Sequence, residues 1–149
     1  MNKVILLIED NASDEKLTLL AFQGCGIANE VIVERDGAAA LDYMFGTGKH
    51  EGRDVSRLPA LILLDLKLPR IDGVEVLRRL RADVRTKLVP VVVLTSSKQD
   101  EDVLRSYSLG ANAYVRKPVD FSEFAAAVKT VGLFWLLLNE QPPAAMGSK

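Results

Sequence analysis

With 149 residues, a net charge of −1 and one cysteine, Cys25, the chain has room for one domain with a sizeable core and little room for two. Lys and Arg lie scattered among acids, which argues against a nucleic-acid surface, and a lone cysteine excludes a disulfide framework or a thiolate zinc cluster. The apolar start meets Glu9-Asp10 too early for a signal peptide and no apolar run reads as a bilayer span, so the expected setting is a reducing cytoplasm with no membrane.

Residues 4–8 read as a strand buried on both faces, a short apolar run ended by the acidic pair Glu9-Asp10. Asn11, Ser13 and Asp14 then supply cap chemistry for a first helix, with Leu17, Leu20 and Ala21 as its apolar residues and Gly24 and Gly26 at its end. Residues 30–35 form a less apolar strand, placed at the sheet edge. Asp36-Gly37 turns the chain into a second helix over 38–45, with Leu41, Met44 and Phe45 inward. Residues 46–58 are polar and glycine-bearing and read as an exposed loop. Gly46-Thr47-Gly48-Lys49 is not a phosphate loop, because Tyr43 stands where the first glycine belongs and His50 where Ser or Thr is required. His50, the only histidine, has neither a Cys nor a second His as a metal partner.

The run Leu61-Ile62-Leu63-Leu64 leads straight into Asp65, and Pro69 and Asp72-Gly73 mark the turn that follows. A carboxylate ending a central strand sits where α/β folds place ligands; on this stretch alone, a strand-end turn acid is an equal alternative. Next comes a helix over 73–81, with Val74, Val76, Leu77 and Leu80 inward and Arg78, Arg79 and Arg81 on a solvated face. Residues 90–94 are another buried strand, which ends at Thr95-Ser96-Ser97. The helix near Asp100 carries Val103, Leu104 and Tyr107 and closes at Gly110. A short fifth strand, 113–115, ends at Arg116-Lys117-Pro118. The last helix starts near Asp120 and runs through Phe124, Val128, Val131 and Trp135 to about Glu140; Pro142-Pro143 ends it, and the tail 142–149 is expected to be disordered.

Strand and helix alternate through the whole chain. That pattern predicts a flavodoxin-like (βα)5 fold, a doubly wound parallel sheet with strand order 2-1-3-4-5, over residues 1–141. In a parallel sheet all carboxyl ends lie on one edge, so Glu9-Asp10, Asp65, Thr95 and Lys117 converge where the strand order reverses. Each alone has a plain explanation as a cap, a turn acid, a surface hydroxyl or a solvated lysine. Their joint placement at strand ends is what argues for a site. Clustered carboxylates repel unless a cation compensates, and hard oxygen ligands suit Mg²⁺. A cation, a lysine and a hydroxyl around a carboxylate nucleophile are the parts that phosphoryl transfer needs.

On these residues the chain resembles the receiver domain of two-component response regulators, over about residues 3–140. The motifs that carry the resemblance are Glu9-Asp10, Asp65-Leu66-Lys67-Leu68-Pro69 with Asp72-Gly73, Thr95-Ser96, and Gly110-Ala111-Asn112-Ala113-Tyr114 with Lys117-Pro118. The resemblance implies that Asp65 accepts phosphate from the histidine of a sensor kinase. It implies Mg²⁺ held by Asp10, Asp65 and the backbone carbonyl of Lys67, with Glu9 acting mainly through water. Lys117 would bind the phosphoryl group across a cis Lys117-Pro118 bond. Thr95 and Tyr114 would be the switch residues, Thr95 swinging toward the phosphoryl oxygens as Tyr114 turns inward.

Two features depart from that pattern. Lys67 is a charged residue where such domains often carry a polar uncharged one, and it is expected to alter autodephosphorylation by crowding or steering the attacking water. In the last helix, Phe124, Val128, Val131, Trp135 and Leu138 form one inward stripe, which leaves Leu133, Phe134 and Leu137 outside it as candidates for a homodimer interface. The long 46–58 loop and the lengthened last helix resemble the small response regulators paired with bacterial phytochrome-type histidine kinases. A haloacid-dehalogenase-type phosphatase would need an acid where Lys67 stands, and an FMN carrier would need a hydroxyl-rich loop where Glu9-Asp10 stands. The remaining alternatives are a phosphorelay intermediate and a phosphate-independent receiver scaffold.

Overall fold

A computed structural model describes residues 4–24, 26 and 29–143; Cys25 and the tail from residue 144 lie outside them. In chain order the elements are β1 (Ile5–Ile8), α1 (Ala12–Gly24), β2 (Val31–Glu34), α2 (Gly37–Phe45), β3 (Leu61–Leu64), α3 (Gly73–Ala82), β4 (Val91–Thr95), α4 (Asp100–Ser108), β5 (Ala113–Arg116) and α5 (Phe121–Leu133), with a 3-10 turn at Gly48–His50 and a π-helical turn at Phe134–Leu138. All strand pairs are parallel and the sheet order is β2-β1-β3-β4-β5, as the alternation predicts.

The three central strands are buried along their whole length because helices cover both faces. Side chains alternate across the pleat. Leu6, Ile8, Ile62, Leu64, Val91 and Val93 meet Leu41 and Met44 of α2 and Val76, Leu77 and Leu80 of α3. Ile5, Leu7, Leu61, Leu63, Val92 and Leu94 meet Phe22 of α1, Phe124 and Val128 of α5, and Leu136. Ile8 lies level with Leu64, so β1 and β3 end together and deliver Glu9 and Asp65 side by side.

Several helix faces differ from the periodicity reading. In α1, Leu20 is exposed and the buried positions are Thr18 and Phe22. Thr18 tolerates burial because its hydroxyl donates to the Asp14 carbonyl one turn earlier, at 2.8 Å. In α4, Leu104 and Tyr107 face outward and Ser106 is buried, since this helix packs beside β5 and α3 at the sheet margin. Leu138 is 76% exposed and Leu136 takes its place in the core. The π-helical turn has a wider repeat than 3.6 residues, so the inward stripe rotates there.

The reading of the last helix as too short for a bilayer also changes. Phe121–Leu138 is long and apolar enough, by length and composition, to cross a membrane. However, Phe124, Val128 and Leu136 are spent on the core, while Phe121, Phe134, Leu137 and Leu138 of the same stretch are exposed.

Arg81 is not on a solvated face. Its guanidinium donates to the carbonyls of Lys87 (3.0 Å), Val89 (2.8 Å) and Gly110 (2.9 Å) and to Asn112 Oδ1 (3.0 Å). The 46–58 loop is tied to the sheet edge. Glu34, buried at the end of β2, takes Lys49 and His50 Nε2 at 2.7 Å each, and the Arg53 guanidinium lies 4.0 Å over the Tyr43 ring. His50 is thus the partner of a buried carboxylate.

Candidate functional site

The site occupies the carboxyl edge of β1, β3, β4 and β5. β3 ends in four buried apolar residues because it is the middle strand, and the chain leaves it at Asp65, which remains only 7% exposed. A buried carboxylate must have its oxygens satisfied. Asp65 Oδ1 accepts the Thr95 hydroxyl at 2.8 Å and the Lys67 N–H at 3.1 Å, and Oδ2 accepts Lys117 Nζ at 2.8 Å. The α3 N-terminus crosses directly over this strand end. A Cβ at Gly73 would collide with the Asp65 carbonyl oxygen and lie 2.6 Å from Leu66 Cα, so only glycine allows the approach. Gly73 N–H closes the turn on the Leu66 carbonyl at 2.8 Å.

Lys117 follows β5, where its N–H donates to the Thr95 carbonyl at 2.8 Å. Its ammonium, on a side chain 7% exposed, has three acceptors: Glu9 Oε1 at 2.7 Å, Asp14 Oδ2 at 2.8 Å and Asp65 Oδ2 at 2.8 Å. The Lys117–Pro118 bond is trans, as are all peptide bonds among the described residues, and Lys117 reaches the site with the isomer that X–Pro ordinarily favours. This corrects the cis bond implied by the resemblance. Tyr114 is half-buried, and its hydroxyl donates to the Ser97 carbonyl at 3.2 Å, which ties β5 to the loop after β4.

The electrostatics follow from burial working against pairing. Burial raises the Lys117–Glu9–Asp65 group's cost of ionisation, most visibly at Glu9, whose carboxyl is pushed well above the usual range despite Lys117. Burial also acts on Asp65, but the hydrogen bonds from Lys117 and Thr95 outweigh it and hold that carboxyl below its ordinary value. Lys117 is desolvated too, yet its three carboxylate partners push its pKa up. Oxygens of Glu9, Asp10 and Asp65 lie within 4.8 Å of one another. With Asp14, four carboxylates gather here, and three of them, Glu9, Asp14 and Asp65, contact the one ammonium. That donor set is hard, anionic and undercompensated, which fits a divalent cation of the Mg²⁺ type.

All the site residues read from the sequence meet here: Glu9, Asp10, Asp65, Thr95 and Lys117, with Tyr114 one layer behind. Lys67 contributes its N–H to Asp65 and leaves its side chain exposed. Of the interface candidates, Leu133 is half-buried, and Phe134 and Leu137 are exposed. Sequence reasoning assigns Asp14 only to cap chemistry, but the side chain that caps is Asn11, which accepts the Asp14 N–H at 2.9 Å. The contact of Asp14 with Lys117 joins residues 103 apart in sequence, and no local pattern announces it.

The family model of the response regulator receiver domain matches residues 5–129. The probable methanogenesis regulatory protein FilR2 of Methanothrix harundinacea is 42% identical over 142 residues, which cover 95% of this chain and 89% of FilR2. The phosphorylated cyanobacterial phytochrome response regulator RcpA has a similar structure, with a TM-score of 0.89 at 37% identity over 96% of this chain and 100% of that one. The bacteriophytochrome response regulator RtBRR is 51% identical, with a TM-score of 0.76 over 98% of this chain and 87% of that one.

Proposed function

Because the chain belongs to the response regulator receiver family, which works with sensor histidine kinases, we propose that Asp65 is its phosphoacceptor. The observation that carries this is the Asp65 carboxylate itself: buried, ionised, held at one oxygen by Lys117 and at the other by Thr95, beside two further carboxylates. In the reaction a carboxylate oxygen attacks the phosphorus of a kinase phosphohistidine. The P–N bond breaks as the P–O bond forms, and the imidazole leaves with the electron pair. Asp10, Asp65 and the carbonyl of Lys67 would hold Mg²⁺, with Glu9 acting mainly through water. When bound, the cation supplies positive charge to the phosphoryl oxygens. Lys117 moves from Asp65 to a phosphoryl oxygen and Thr95 donates its hydroxyl to another. Tyr114, on the Ser97 carbonyl, passes the change to the α4–β5 surface. The chain is a phosphoryl acceptor that catalyses its own loading and unloading, and turns over no separate substrate.

The pathway reading is phytochrome-type light signalling in the cytoplasm. It is supported by RcpA and RtBRR, which are phytochrome response regulators by name and match nearly the whole chain. Residues 1–141 act as one receiver unit, and a homodimer forms through the last helix at Leu133, Phe134 and Leu137.

The test is phosphotransfer profiling. Each histidine kinase of the source organism is autophosphorylated and mixed briefly, with Mg²⁺, with this protein and with Asp65→Asn. The expected result is rapid labelling by a phytochrome-type kinase, abolished in Asp65→Asn. Labelling by another sensor keeps the phosphoacceptor and discards the light pathway. Onward loss of label to a histidine phosphotransfer protein makes the chain a relay intermediate. No labelling by any kinase makes it a phosphate-independent scaffold.

A further inference from the structure

Lys117 has three N–H donors, and the structure fills all of them with carboxylates; the third, Asp14, belongs to α1 and to none of the strand ends that build the site. We infer that Asp14 is a positioning residue: it holds Lys117 back toward α1 and sets how tightly the site takes its cation relative to its phosphoryl group.

Asp14 Oδ2 lies 2.8 Å from Lys117 Nζ, and its side chain is 24% exposed, so the contact is only partly screened by solvent. Beyond its favourable place in the first helical turn, this carboxylate makes no hydrogen bond within α1. The Asp14 N–H goes to Asn11 Oδ1 at 2.9 Å and the Asp14 carbonyl takes the Thr18 hydroxyl at 2.8 Å, both backbone groups that any residue here would supply. Its carboxylate therefore makes its hydrogen bond to the site and not to the helix.

Its two effects have opposite signs. As a further negative charge beside Glu9, Asp10 and Asp65, Asp14 strengthens the attraction for a divalent cation. As a competitor for Lys117 and a source of repulsion, it weakens the hold on an incoming phosphoryl group, which brings more negative charge than the Asp65 carboxylate it caps. Lys117 can swing to the phosphoryl oxygens only by giving up or sharing its carboxylates, and Asp14 is the one the cation does not need.

This inference rests on the phosphoacceptor reading, and the experiment separates the two. Mg²⁺ affinity is measured by calorimetry, and beryllofluoride affinity at saturating Mg²⁺ by fluorine NMR, for the native protein, Asp14→Asn, Asp14→Glu and Asp65→Asn. Asp14→Asn is expected to weaken Mg²⁺ and to tighten beryllofluoride, each by about two- to fivefold, the scale of a partly exposed ion pair. Asp14→Glu keeps the charge and returns both toward the native values. A merely structural role would weaken both ligands together. Weakening of both in Asp14→Asn, or no change in either, overturns the inference while leaving Asp65 as acceptor. A native protein that takes no beryllofluoride, or takes it equally with Asp65→Asn, overturns the acceptor reading and this inference with it.

Discussion

Lys67 stands two residues past Asp65, with its N–H bound to Asp65 Oδ1 at 3.1 Å and its side chain in solvent. That tether fixes the start of a long, cationic side chain beside Asp65, where it is expected to crowd or steer the water that would attack a phosphoryl group there. Lys67→Asn removes the bulk and adds an amide that can orient water. The aspartyl phosphate is therefore expected to decay faster, by about three- to tenfold, which corresponds to about 1 kcal/mol of barrier. Loss of label after kinase removal measures it; an unchanged lifetime makes Lys67 a solvated lysine only. The residues that are legible in the sequence are those that interrupt a pattern. Asp65 breaks an apolar run, Glu9 and Thr95 end others, and Lys117 follows the fifth strand. Asp14 is illegible because an acid in a first helical turn already has a local explanation, and its partner lies across the sheet.

At the scale of elements, Arg81 shows how the same blindness affects a helix. Three arginines near the end of α3 look alike in sequence, but Arg78 and Arg79 pair with Glu75 in solvent while Arg81 reaches over the helix end. Its fork joins α3 to the approach of β4, through Lys87 and Val89, and to the turn before β5, through Gly110 and Asn112. Asn112 in turn takes the Val91 N–H at 2.8 Å, so one guanidinium orders the chain where β4 begins and again where β5 begins. Burial lowers the Arg81 pKa without threatening its charge. Arg81→Ala leaves those carbonyls without their charged donor and is expected to cost about 2–3 kcal/mol in urea unfolding. Arg79→Ala should stay within about 0.5 kcal/mol. Arg81→Lys should recover little, because a point charge cannot span partners on both sides. Equal midpoints for Arg81→Ala and the native protein would show that the fork adds nothing. Periodicity locates every helix and the inward faces of α2 and α3, but it misplaces others: α4 lies at the sheet margin, and the π-helical turn after α5 breaks the 3.6-residue count at Phe134.

For the whole molecule, strand order and the site edge are readable because alternation and right-handed crossovers leave few arrangements. What the last helix does beyond the core is not readable from pattern alone. Phe124, Val128 and Leu136 satisfy the core, yet Phe134, Leu137 and Leu138 remain exposed together just past α5, with Phe134 set edge-on to Trp135 at 5.2 Å. Three large apolar side chains on one helical turn are more than scattered surface residues, and a symmetric pairing of two copies would cover them without a second protein. The Leu138 position, moved outward by the π-helical turn, joins this patch beside the half-buried Leu133. Leu137, the central and strongly exposed residue of the three, should then dominate the contact. Leu137→Asp places a charge at its centre and should weaken the dimer by about 30-fold or more, the effect of losing a hot-spot side chain. Sizing with light scattering, with and without beryllofluoride, reads the outcome. A native dimer that Leu137→Asp turns into a monomer supports the pairing, whereas a native protein that stays monomeric at high concentration in both states leaves the patch to some other partner.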